Sequence, residues 1–279
     1  SISLNLKNSE DLSILKNIIK KADILIQNLA PGAFERLGLK LKELRDEFPK
    51  LITCSITGFG EKGPLMKQKA YDMLIQAETG LTDLTGVPEN DLEKGRARVG
   101  VSVCDISAGM TALNAVLQAL IGRFKTGKGR HISVSLFSSL SDWMNVPYLQ
   151  YAYSKKEPLR CGIRHPTITP YASFECGDRL EILIGIQNER EWVKFCKFVL
   201  EDEIIAYDDR FKSNDMRVKN TSKLEKIINK DLHLDSDIER GLRMQELIDK
   251  AQDAYISKNS EAIERNTQTI EEIKQRGRK

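Results

Sequence analysis

Apolar positions recur along the chain in two rhythms. Residues 1–6 alternate with period two and predict a strand. Asn8, Ser9, Glu10 and Asp11 supply capping residues, and Leu12, Leu15, Ile18 and Ile19 then recur at helical spacing. Residues 22–27 form a short apolar run, the mark of a buried parallel strand. The chain thus opens as β-α-β. Residues 51–57 predict a further strand, 70–81 a buried helix closed at Gly80, and 88–98 a polar loop. Residues 109–124 set Met110, Leu113, Val116, Leu117, Leu120 and Ile121 on one face, which predicts a packed helix. A basic glycine turn leads from it into a strand over 131–136.

The pattern changes after residue 153. Residues 138–153 are aromatic and apolar, with Trp143, Tyr148, Tyr151 and Tyr153, and 154–158 read as a linker. Residues 161–171 predict a loop containing Pro and His. Residues 172–174 and 180–184, separated by Cys176, Gly177 and Asp178, predict a hairpin. Residues 189–200 predict a helix around Trp192, Phe195 and Val199. From Leu224 the chain is helical and charged, and 261–279 read as a solvated tail. The organisation expected is a large α/β domain over 1–153, a linker and small α+β domain over 154–223, and a charged helical segment over 224–279. No internal repeat is visible.

Composition narrows the class. Apolar residues make up 41% and charged residues 30% of 279, which is globular. The net charge of +3 gives no ground for a nucleic-acid partner. The reading finds no apolar run long enough to span a membrane. The five cysteines are scattered, without CxxC spacing, so free thiols in a reducing, cytoplasmic compartment are expected. Residue 1 is Ser, which leaves a mitochondrial location open. The three histidines lie far apart in sequence, and no metal site is expected.

Three motifs invite chemistry. Residues 58–63 match GxGxxG after a strand, but Pro64 and the polar residues 67–69 interrupt the helix that should open on the glycines. Residues 122–129 approach a P-loop, but Gly129 stands where Ser or Thr would ligate Mg²⁺, and a helix precedes it. The third is Asp105, one acid among Val99, Val101, Val103, Gly100, Ser102, Cys104, Ser107 and Ala108. Small neighbours leave room for an approaching group, and apolar ones desolvate the carboxylate and raise its pKa. Both suit a nucleophilic or basic carboxylate. The alternative is that Asp105 caps a helix beginning near Ile106. Residues 28–32 would sit at the carboxyl end of a parallel strand, where ligands bind in open α/β sheets. Arg36 near the following helix start would hold an anion there, or would be an ordinary solvated Arg.

Taken together, several stretches resemble the class III CoA-transferases, the formyl-CoA transferase-like family that also contains α-methylacyl-CoA racemases. They are residues 27–38, 52–60 with Gly63 and Pro64, Ala70-Tyr71-Asp72, residues 104–109, 125–129, 165–171, and 186–188 with Trp192. The likeness runs from Ser1 to about Thr221. It implies a Rossmann-like parallel sheet with helices plus a smaller α+β domain. It implies Asp105 as nucleophile, forming aspartyl anhydride and aspartyl-CoA thioester intermediates. No cofactor is expected to be tightly bound; the CoA thioester is substrate, and its partner is a carboxylic acid, such as a small dicarboxylate. CoA contacts carry over to Leu4, Lys7, Asn28, Leu29, Ala33, Arg36, Leu37, Lys69, Ala70 and Tyr71. A homodimer is expected where the full-length fold is present. The family's opening strand, loop and first helix are expected to be absent, and the sequence after about Lys223 departs from the family. Racemases pair a histidine with an aspartate across the substrate α-carbon; Tyr71 stands at the histidine's position, which favours transferase. A racemase and a truncated, non-catalytic CoA-binding chain are the alternatives.

Overall fold

In a computed structural model, which describes residues 1–89, 92–177 and 179–234, the chain divides into two units, Ser1–Gly162 and Ile163–Lys279. The first is built on a three-stranded parallel sheet, and all its predicted strands but one are present. Helix α1 (Ser9–Ile19) begins where the Asn8 side chain accepts the Glu10 N–H. Strand β1 (Ile24–Gln27) follows, then the short helices α2 (Ala33–Arg36) and α3 (Leu41–Glu47), and strand β2 (Ile52–Thr57). Helix α4 (Asp72–Glu78) and one turn of α5 (Leu81–Leu84) lead into a minimal hairpin, β3 (Gly86–Val87) with β4 (Gly95–Arg96). The long helix α6 (Val103–Thr126) returns the chain to strand β5 (His131–Ser135), and α7 (Leu136–Trp143) and α8 (Asn145–Ser154) close the unit.

The strand order is β1-β2-β5, with Ile24 opposite Ile52 and Thr53 opposite His131. Strand β2 is central, and five of its six residues are buried, as a parallel strand covered on both faces requires. Alternation divides β1: Ile24 packs toward the α6 core and Leu25 toward the core of Ile19, Phe34, Leu39 and Leu44. The basic glycine turn serves this sheet. A Cβ on Gly129 would lie 2.1 Å from the Leu51 carbonyl oxygen, and the Gly129 N–H donates to Pro49 O at 2.8 Å. Gly129 therefore lets the entry to β5 lie against the start of β2.

The second unit has an antiparallel hairpin, β6 (Tyr171–Glu175) with β7 (Glu181–Gly185). Helix α9 (Glu189–Phe198), a 3₁₀ turn (Glu203–Tyr207), α10 (Asn214–Lys219) and α11 (Thr221–Leu234) follow. Phe174, Ile184, Trp192, Phe195 and Phe211 form its core with Leu224 and Ile228 of α11. The solvated tail read at 261–279 lies outside the described residues.

Three expectations need correction. Residues 1–6 are not a strand: the alternation is there, but no strand pairs with it and Ile2 is 64% exposed. The packed face of α6 is only partly the one read: Val116 is buried and Leu120 packs against the core, but the rest of the face is turned. Ser107, Ala108, Ala112, Val116 and Ala119 face inward, while Met110, Leu113, Leu117 and Ile121 are exposed. Small side chains let the helix approach β2 and β5 closely, so the large residues take the other face. Finally, α6 is long and apolar enough to cross a membrane by length and mean hydropathy (1.3), which revises the reading that no run was. Its buried stripe packs on the sheet.

Candidate active site

The loops at the carboxyl ends of the three strands are tied to one another by direct contacts. After β1, the Asn28 side-chain amide donates to Ile56 O at 2.8 Å, drawing that loop over the end of β2. The Leu29 N–H donates to Gln27 Oε1 at 2.8 Å. Gly32 takes the left-handed conformation (φ 73°) that opens α2. That helix is a single turn of four residues, so its dipole is slight. Arg36 lies exposed above the loop, with Nη1 3.5 Å from Pro31 O. Ala33 and Leu37, at the two ends of the turn, are half-buried. After β2, Gly58 O accepts the Phe137 N–H at 3.0 Å, which joins this loop to the end of β5. A Cβ on Gly58 would fall 2.2 Å from the Ala70 Cβ, so Gly58 admits residues 69–71 against the loop. Lys69 is exposed there and Tyr71 is 65% exposed.

Asp105 stands on the first turn of α6 at this edge. It does not cap the helix: α6 begins at Val103, with Ser102 as its cap residue, and Asp105 is the third helical residue. The helix starts earlier than read because Val103 and Cys104 turn into the core. Asp105 itself is exposed rather than enclosed: Val103 and Cys104 before it are buried, and Ile106 after it is exposed with it. Partial burial still pushes its carboxyl up from the ordinary value, and the charge of Asp72 adds to the push. The helix start favours the anion against both. Among the described residues the carboxylate accepts no hydrogen bond. The neighbouring Cys104 thiol is pushed up to about 12, by burial first and by Asp72 second, so it stays protonated.

Not every predicted residue joins this edge. Leu4 and Lys7 lie in the turn before α1, and their side chains share no hydrogen bond with the loops. Leu12 of α1 does touch Gly38, just beyond α2, so the start of α1 lies on the α2 side. His131 carries a string that outwardly resembles a catalytic relay: Nδ1 is 2.9 Å from Thr53 Oγ1 and Nε2 is 2.9 Å from Glu61 Oε2. Thr53 is fully buried in the sheet, so no substrate reaches its hydroxyl. The string holds Glu61 and its loop against the strands. The sequence reading assigned no role to Gln76, and quoted Asp72 only as part of a motif. Asp72 accepts the Cys104 N–H at 2.8 Å and Gln76 is fully buried beside it. Their i, i+4 spacing about the apolar Met73, Leu74 and Ile75 was the available signal.

A parallel α/β sheet with an exposed carboxylate and exposed cations at its carboxyl edge places charged groups where ligands bind in this fold class. The chain belongs to CoA-transferase family III, whose family model matches residues 1–239. That match runs past Lys223, further than the motifs carry. The chain is 33% identical over 228 residues to human succinyl-CoA:glutarate CoA-transferase, covering 82% of this chain and 51% of that protein. It is 35% identical over 233 residues to acetyl-CoA:oxalate CoA-transferase of Acetobacter aceti, covering 83% and 58%. A crystal structure of a CaiB/BaiF family protein from Brucella suis superposes with a TM-score of 0.74 at 32% identity, covering 89% of this chain and 64% of that one. The chain spans about half the length of the curated relatives it matches.

Proposed function

We propose that this chain carries the nucleophile and part of the CoA site of a CoA-transferase that moves CoA from an acyl-CoA donor to a small carboxylic acid. The observation that carries the proposal is the exposed, unbonded Asp105 carboxylate at the carboxyl edge of the sheet. Asp105 attacks the thioester carbonyl; the C–S bond breaks and CoA leaves as a thiolate, giving a mixed anhydride. The thiolate then attacks the aspartyl carbonyl, releasing the donor acid and leaving an aspartyl-CoA thioester. The acceptor carboxylate displaces CoA to form a second anhydride. Attack of the thiolate on the acceptor's carbonyl yields the new acyl-CoA and frees Asp105. An elevated carboxylate basicity makes Asp105 the better nucleophile in the first step.

Asn28, Leu29, Ala33, Arg36 and Leu37 on one side and Lys69, Ala70 and Tyr71 on the other are assigned to CoA; Leu4 and Lys7, before α1, are assigned to it by the family resemblance alone. Arg36 offers a planar fork, and Lys7 and Lys69 point charges, for phosphate groups. The relatives named above act on glutarate and oxalate, which supports a small dicarboxylate as acceptor. The racemase reading lacks its second base: Tyr71 fills that position, where a phenol is a poor proton acceptor at neutral pH.

The test is mass spectrometry of the chain mixed with succinyl-CoA and a panel of small acids, then quenched with hydroxylamine. The expected result is a hydroxamate on Asp105 and CoA transferred to a second acid, both lost in Asp105→Asn. Transfer that persists in Asp105→Asn overturns the proposal. Solvent deuterium entering the α-carbon of a 2-methylacyl-CoA would replace it with the racemase reading.

A further inference from the structure

Helix α6 is the longest in the described structure, with 24 residues, yet the side chain of its cap residue does nothing for it. Ser102 makes no side-chain hydrogen bond to the first turn. A helix start leaves its first amides without intrahelical partners, and each must find one or remain in water. The Val103 N–H reaches Val101 O at 2.8 Å. The next amide, Cys104 N–H, is buried and is taken from a distance: Asp72 Oδ1, on α4, accepts it at 2.8 Å. The Cys104 thiol donates to the Asp72 backbone carbonyl at 3.2 Å.

Asp72 is itself fixed. Its second oxygen, Oδ2, accepts from Gln76 Nε2 at 2.7 Å. Gln76 is fully buried, and its Oε1 accepts the Val99 N–H at 2.8 Å. The chain of bonds therefore runs from the segment entering α6, through Gln76 and Asp72, to the amide of the residue before Asp105. A buried amide with both ends used is a costly thing to build, and here both ends serve the turn that presents Asp105. We infer that Asp72, locked by Gln76, is a positioning residue for Asp105: it caps α6 from outside the helix and sets the nucleophile's place and the charge beside it. The inference rests on the reading of Asp105 as nucleophile.

Two separable effects follow. The hydrogen bond to Cys104 fixes geometry, and the negative charge acts on the Asp105 carboxyl. Among the described residues, Asp72 is the charged group acting on it, and the adjacent Cys104 thiol remains neutral. Asp72→Asn removes the charge and keeps an oxygen on the Cys104 N–H, but its amide nitrogen then meets Gln76 Nε2, donor against donor, so the bond to Gln76 is given up. Asp72→Ala removes both the charge and the bond to Cys104.

The experiment uses the whole chain labelled with carboxyl-¹³C aspartate, the Asp105 resonance being assigned by its loss in Asp105→Asn. In the unaltered chain Asp105 titrates above an ordinary aspartate. In Asp72→Asn its midpoint moves down toward the ordinary value while the Cys104 amide keeps its protection from hydrogen exchange. In Asp72→Ala that protection is lost. Turnover in Asp72→Ala falls about 10- to 100-fold in kcat, as a displaced nucleophile should, with KM for acyl-CoA changed much less. In Asp72→Asn kcat recovers, and the acidic limb of its pH profile lies at lower pH. An Asp105 midpoint unmoved in Asp72→Asn, or a Cys104 amide still protected in Asp72→Ala, overturns the inference. If Asp72→Ala fails to fold, the Asn titration decides alone. Undiminished transfer by Asp105→Asn would instead overturn the nucleophile reading and leave the titration result standing.

Discussion

Arg217 and Arg36 show two opposite uses of a guanidinium. Arg217, in the second unit, is 1% exposed. Its Nε donates to Thr169 O at 2.8 Å, Nη1 to Phe211 O at 3.0 Å and to Glu189 Oε2 at 2.7 Å, and Nη2 to Glu189 Oε1 at 3.3 Å. Its flat face lies 4.8 Å from the centre of the Trp192 ring. Arg36, at the carboxyl edge of the parallel sheet, is exposed and holds one long bond to Pro31 O. A buried cation with four of its five N–H donors used knits a core and offers no face to a ligand. A cation with unused donors contributes little to folding and is ready for an anion. The difference separates scaffold from site without any knowledge of the substrate.

The largest effect belongs to the scaffold. Glu189→Ala leaves the Arg217 guanidinium buried without its counter-charge. Breaking a fully buried pair from one side costs about 3–5 kcal/mol; the Glu189 side chain is 53% exposed and two carbonyls and Trp192 remain on Arg217, so about 2–3 kcal/mol is expected. Urea unfolding of the second unit reads it. Glu189→Gln keeps a hydrogen-bond acceptor and should lose clearly less. Equal losses for the two would show that charge, not bonding, holds Arg217.

Next comes the close approach that shapes the site. Gly58→Ala sets a methyl group 2.2 Å from the Ala70 Cβ, and neither carbon has a flexible end to swing away. Overpacking of this kind costs about 1–3 kcal/mol. Residues 69–71 must move, so acyl-CoA binding should weaken beyond what the stability loss explains. A raised KM with a lowered melting temperature is expected; a lowered melting temperature alone would detach residues 69–71 from the CoA site.

A smaller effect appears in acid. The Glu189 carboxyl is held below its ordinary value, chiefly by its hydrogen bond to Arg217 and against a counter-push from burial, with the Arg217 charge and the Asn214 N–H helping. A carboxyl whose folded pKa is depressed adds stability that is present in full above its unfolded pKa of about 4.3. That stability is lost as pH falls through the lower folded value. Unfolding measured at falling pH should therefore steepen below about pH 4.3. Glu189→Gln should flatten that limb, and an unchanged slope would mean that other carboxylates dominate it.

The sequence carried the parallel strands and the hairpin because each is a local pattern. β1 reads as a short apolar run, β2 and β5 as further strands at turn boundaries, and the 171–185 hairpin as two short apolar stretches about a glycine turn. It misread α6 for a physical reason. Met110, Leu113, Leu117 and Ile121 have the spacing of a core face, but the sheet accepts the smaller stripe of Ala108, Ala112 and Ala119. Size complementarity with a partner is not written in periodicity. Residues 1–6 failed in the same way, since alternation describes a strand but does not supply its neighbour. Asn28 and Arg36 stand out in the sequence because Pro31 and Gly32 mark an element boundary between them, and Asp105 because it is one acid among small and apolar residues; Tyr71 has no such local mark. The bond from Asp72 to Cys104 spans 32 positions, and no local rule finds it.

The smallest change in stability should accompany a clear change in binding, and it tests the opening contrast most directly. Arg36→Ala removes an exposed side chain with one long carbonyl contact. Its effect on unfolding should stay within about 0.5 kcal/mol. If its unused donors serve the phosphates of CoA, losing a hydrogen bond to a charged group costs about 1.5–3 kcal/mol of binding, or about tenfold or more in KM for acyl-CoA. Arg36→Lys keeps the charge without the fork and should fall between the two. Lys69→Ala, which removes a point charge alone, should act more weakly and lose most of its effect at high salt. A KM unmoved in both alanine variants would return these cations to the solvated surface and shift the CoA assignment elsewhere on the edge. A loss of stability matching the loss of binding would place Arg36 with Arg217, as scaffold.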